Sequence, residues 1–147
     1  MKSLLARGLL LSLITAWASA CAIQTKQEQQ PQQPPQQSPL VTAANETAAM
    51  ARLRSIATAE ARYGVETGGE YGTLDQLIQN RYIGDPSGGK LSGYVYEIRV
   101  RPGGFQATAV PVKFGVTGTR SFYLDETNII RGADKRGAPA TASDPEV

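Results

Sequence analysis

The sequence predicts an α+β domain in which a long N-terminal helix packs on an antiparallel sheet of about four strands. Two observations carry this. From residue 42 to about 64 the chain is alanine-rich, with apolar residues recurring three and four positions apart. From Gly93 the apolar period drops to two, and turn clusters break the chain into short runs. An amphipathic helix is the one element able to cover a face of that sheet.

The helix comes first. Eight alanines lie between residues 43 and 61, and alanine is the best helix former. Met50, Leu53, Ile56, Ala57 and Tyr63 form the expected apolar stripe. Arg52, Ser55, Ala59, Arg62 and Glu66 mark the expected wet face. Gly64, then Gly68 and Gly69, supply stop signals. Glu60 lies beside the stripe and is read as a border carboxylate bonded to a tyrosine or arginine, because charged groups are seldom buried unpaired. A short helix follows in "TLDQLIQNRYIGDP", with Thr73 and Gln76 spaced as a capping box and Gly84 and Asp85-Pro86 closing it.

The strands come next. In "GYVYEIRV", Tyr94, Tyr96, Ile98 and Val100 share a face. After the "RPGG" turn, "FQATAVPV" puts Phe105, Ala107 and Ala109 on one side, small enough for a helix to press against. Pro111 marks a strand end. "SFYL", "DETN" and "IIR" read as a last hairpin, with Asn128 suited to a left-handed turn position. Residues 40–132 are thus the domain, and the polar segment 133–147 is expected to be a disordered tail. A domain of about 90 residues buries only about 60–65% of its unfolded surface, leaving little room for a deep pocket.

The first forty residues carry a different signal. Lys2 and Arg7 form a positive segment, and Leu9 to Ala18 is an apolar run of ten. "ASA" then precedes Cys21, the only cysteine. This is a secretory signal layout over 1–20, too short to span a membrane. "ASAC" resembles a lipobox. The resemblance implies cleavage after Ala20 and acyl chains on Cys21; Ala18 departs from the family's preferred leucine. Two or more acyl chains anchor a protein stably. Ala22 in place of aspartate favours, by the same resemblance, the outer over the inner membrane. Residues 21–39 then form a tether. Gln24 to Pro39 holds eight glutamines and four prolines, and as extended chain reaches roughly 50 Å.

Composition excludes much. The chain has no histidine and one cysteine, so a Ser-His-Asp triad, a Cys-His pair, an internal disulfide and a cysteine-rich zinc site are all out. Of 15 Lys and Arg, Lys2 and Arg7 lie in the signal; the remaining 13 balance 13 Asp and Glu. That balance gives no general attraction for nucleic acid. No cofactor is expected.

Three stretches taken together resemble the globular head of type IV pilins and type II secretion pseudopilins. They are "AMARLRSIATAEARY", "YGTLDQLIQNRYIGDP", and "GGKLSGYVYEIRV" with "TGTRSFYLDETNIIR". They cover about residues 44 to 131. The prepilin N-terminus is missing. Leu13 stands where a glutamate belongs after Gly8, and no long apolar helix follows. The resemblance implies a pilin-type head on a lipid anchor, unable to enter a filament as an ordinary subunit. The expected function is therefore non-enzymatic. It is an envelope lipoprotein facing the periplasm or surface, acting as an interaction or accessory component of a pilus or secretion-like system. Its partners would be the membrane, through the lipid on Cys21, and pilin-like or secretion proteins. The alternative is a stand-alone ligand- or glycan-binding module using strand-edge aromatics. Asp125, Glu126 and Asn128 gather oxygens in one turn and are the calcium candidates, though they match no EF-hand spacing; turn chemistry is the default. An enzyme using Glu60, Asp85 or Asp125 has no carboxylate spacing to support it.

Overall fold

A computed structural model describes residues 38–84 and 90–147. Cys21, the cleavage point after Ala20, Asp85-Pro86 and nearly all of the tether lie outside the described residues. The elements run α1 (Pro39–Thr67), α2 (Leu74–Gln79), β1 (Lys90–Leu91), β2 (Tyr94–Arg101), β3 (Gly104–Pro111), β4 (Ser121–Asp125) and β5 (Arg131–Ala133). The class is α+β as expected, but the sheet has five antiparallel strands rather than four, in the order β1-β2-β3-β4-β5. The extra strand is the two-residue β1, too short to show a period of two.

Helix α1 is longer than expected at both ends. Ser38 caps it, and Pro39 takes the first turn, where its missing N–H costs nothing. It runs through Gly64 and stops at Gly68, whose left-handed φ of 78° glycine adopts without a Cβ penalty. Its buried positions are Glu46, Ala49, Leu53, Ile56, Ala59 and Glu60. Ala59, assigned to the wet face, is buried, while Met50, Ala57 and Tyr63 flank the core. The stripe is rotated slightly, bringing Ala49 and Ala59 into the core that α1 forms with β3, where the small Ala107 and Ala109 are both fully buried. Helix α2 carries the full capping box, Gln76 N–H to Thr73 Oγ1 and Thr73 N–H to Gln76 Oε1. It ends at Asn80, before Gly84.

The inner sheet face follows the alternation. Tyr94, Tyr96 and Ile98 of β2 are buried, as are Phe105, Phe122 and Leu124. Val100, on the same face, is 42% exposed. The Tyr94 hydroxyl donates to Arg120 O at 2.8 Å. A Cβ at Gly118 would land on that hydroxyl, so the 113–120 loop can close over Tyr94 only with glycine there.

The C-terminal segment departs most from expectation. Residues 133–147 are not a free tail; they fold back over the outer sheet face. Gly132 N–H donates to Pro145 O at 2.9 Å, and Val147 N–H to Ile130 O at 3.2 Å. Glu146 pairs antiparallel with Arg131, and Ala140 is 2% exposed. The segment covers Tyr123, and its Pro145 and Glu146 occupy the free edge of β5. Its polar composition resembles that of a mobile tail, but its polar groups are spent on each other.

Candidate functional site

Of the concave regions among the described residues, two lie on opposite faces of the sheet. The first is a cleft of about 580 Å³ between α1 and the β4–β5 turn. Arg54, Ala57, Thr58 and Ala61 recur at helical spacing along its α1 wall, with Glu60 beside them. Tyr71 and Phe105 form an aromatic wall, ring centroids 5.3 Å apart. Asp125, Glu126 and Asn128 rim it from the turn.

Glu60 is its most unusual member. Its residue exposure is 1%. Oε2 accepts the Gly72 N–H at 2.8 Å, and Oε1 has no partner. Burial raises its pKa, and the single bond from Gly72 only partly opposes that. The expected tyrosine or arginine partner is not there; a backbone amide takes its place, delivered by the α1–α2 connection.

The turn residues are largely occupied. Asp125 Oδ1 accepts Thr127 N–H at 3.0 Å and Thr127 Oγ1 at 2.5 Å, and Oδ2 accepts the Tyr123 hydroxyl at 3.0 Å. Burial raises the Asp125 pKa, but these bonds and Arg101 outweigh it and hold the group below its usual value. Glu126 pairs with Arg101 through contacts of 2.6 and 2.8 Å. Asn128 adopts φ 60°, the left-handed turn position. Hydrogen bonds thus occupy Asp125 and an ion pair occupies Glu126, and among the described residues no three acidic, cysteine or histidine groups come close enough to hold a metal. Glu60 and Asp125 do share the cleft, with pKa values pushed apart as in an acid–base pair. Yet both Asp125 oxygens are tied into the turn, so it is not poised as a base.

The strand aromatics, read by default as core or cross-strand pairs and only in the alternative as an exposed patch, follow the default. Tyr94, Tyr96, Phe105 and Phe122 are core residues, and Tyr123 lies beneath the C-terminal segment. Tyr71, half-buried in the α1–α2 connection, supplies the cleft's accessible ring. A lone tyrosine between two helices gives no periodic signal.

The second region is a pocket of about 460 Å³ on the outer face, between Glu97, Arg99, Gln106, Thr108 and the strap 139–143. Asp144 holds the strap. It accepts Thr141 N–H at 2.7 Å, Thr141 Oγ1 at 3.1 Å and Lys135 Nζ at 3.1 Å. The Thr141 amide, foremost, keeps its pKa low. Asp144→Ala is expected to speed tryptic cleavage after Lys135 and Arg136 several-fold, because local opening exposes the strap. An unchanged cleavage rate would show that Asp144 does not fasten it.

Among the described residues no helix is long and apolar enough to cross a membrane. A scan against protein-family models, a search of curated proteins and a search of solved structures each give no significant match.

Proposed function

We propose that this chain is a non-enzymatic, lipid-anchored envelope protein whose pilin-like head docks onto a pilus or secretion-type assembly. The observation that carries the reading is the arrangement of α1. Its first turn, ahead of the bonds from Thr42 and Asn45 to the carbonyls of Val116 and Thr117, leaves Leu40 at 80% and Val41 at 43% exposure. A helix start that is apolar and uncovered, at the end of a tether, suits docking on another protein. The helix-on-meander layout supports a pilin-like head, and "ASAC" supports the anchor on Cys21 with cleavage after Ala20.

The test is crosslinking in intact native cells, followed by mass spectrometry of the captured partners and of the mature N-terminus. Pilus or secretion components joined through residues 39–45, with an acylated Cys21, are the expected result. An acylated chain recovered free of every such component overturns the assembly role. The second reading, a stand-alone ligand-binding module, is favoured by the cleft around Glu60, which joins an aromatic wall to an unsatisfied buried oxygen.

A further inference from the structure

We propose that the cleft between α1 and the β4–β5 turn binds a protonated primary amine on a short alkyl chain, the ammonium donating to Glu60 Oε1. The inference stands whichever of the two readings above holds.

Glu60 sets the ligand's polarity. Glu60 lines the cleft and is almost fully buried, with one carboxyl oxygen satisfied by Gly72 N–H while the other lacks a partner. Buried polar atoms are normally paired, so an unpaired one requires an explanation. A carboxylate oxygen takes a donor, and one backbone amide does not compensate a buried charge. A cationic donor meets both needs, and a neutral hydroxyl meets only the first. Burial holds the Glu60 carboxyl toward its neutral form, a state that a bound ammonium would reverse.

The remaining walls narrow the class. Tyr71, backed by the buried Phe105, offers an aromatic surface, which attracts a cation and packs against methylenes. Asp125 and Glu126 add negative charge at the rim, partly offset by Arg101. A divalent metal is disfavoured because Asp125 spends both oxygens on Thr127 and Tyr123. Calcium wants six to eight oxygens, whereas an ammonium has three donors and needs no cage. Arg54 is the one wall residue that opposes the ligand's charge.

The full 147-residue chain in detergent is titrated calorimetrically with 1,5-diaminopentane, with Nα-acetyl-lysine methylamide, with 1-pentanol and with calcium chloride. Saturable binding of either amine, with none of pentanol, is expected. Glu60→Gln should weaken it at least about tenfold, the loss of a charge-assisted bond. Its thermal midpoint should stay near wild type, since the glutamine oxygen still accepts Gly72 N–H. Arg54→Ala should tighten binding several-fold, and this arm remains decisive if Glu60→Gln unfolds. Binding of the lysine amide identifies a protein side chain as the source; binding of the diamine alone identifies a free small amine. No saturation by about 10 mM amine, equal binding of pentanol, a Glu60→Gln variant with wild-type affinity, or binding of calcium alone overturns the proposal.

Discussion

Phe122→Ala should lower the thermal midpoint by about 15 °C or more, the largest effect expected of any single substitution in the core. Phe122 is fully buried at the centre of β4. Its ring packs against Tyr94 with centroids 5.9 Å apart, and the Arg120 guanidinium lies 5.3 Å above it. On its far side the chain comes so close that a Cβ at Gly132 would sit 2.7 Å from Phe122 Cδ1. Removing the ring leaves a cavity walled by backbone and by tyrosine, neither of which can collapse into it. Such truncations cost about 3–5 kcal/mol. A domain of this size has about 5–15 kcal/mol in total, and each kilocalorie is worth about 4–8 °C. Circular dichroism melts of the two chains measure the difference. A fall of less than about 5 °C would mean that Phe122 is not packed between Tyr94 and the Gly132 backbone as described.

The parts of this fold that were legible in the sequence are those where one residue type repeats at one spacing. Leu53 and Ile56 on the helix and Tyr94, Tyr96 and Ile98 on β2 are buried where their periods placed them. The capping box at Thr73 and the left-handed Asn128 followed from local chemistry and are present. What stayed hidden depends on distant partners. Nothing near Asp144 in the chain signals that Lys135 and Arg131 will fold beneath it, so 133–147 read as a tail. The cleft was only half legible. Glu60 and Asp125 were candidates, but the tertiary fold alone supplies Gly72 as a partner and Tyr71 as a wall. One signal was readable and passed over. Positions 46, 49, 53, 56 and 60 alternate steps of three and four, so the buried stripe begins and ends on a glutamate. A charge on such a stripe announces a buried partner.

Glu46 has that partner, and the consequence is a stability gap that depends on pH. Burial would raise its pKa, but four hydrogen bonds outweigh burial and hold the carboxyl below its ordinary 4.5. Oε1 accepts Thr119 N–H at 3.0 Å, Thr119 Oγ1 at 2.8 Å and Arg120 N–H at 3.2 Å; Oε2 accepts Arg120 Nε at 3.0 Å. This carboxylate pins the 113–120 loop to the helix. Glu46→Gln removes the charge and turns an amide donor toward donors. Breaking a buried pair costs about 3–5 kcal/mol; because the Arg120 side chain is 39% exposed, about 2–3 kcal/mol is expected here at neutral pH. The sign with pH follows from the depressed value. A carboxylate held below its unfolded pKa stabilises the fold fully above that unfolded value, and its contribution fades as pH falls through the folded one. The gap between wild type and Glu46→Gln should therefore be widest near neutrality and narrow below about pH 4. Asp125 and Asp144, whose pKa values are also lowered, weaken both chains together and cancel in the difference. Urea unfolding of both chains between about pH 3 and 7 measures it. A gap that stays constant across that range would mean that Glu46 is not ionised in the fold, and that neutral hydrogen bonds hold the loop instead.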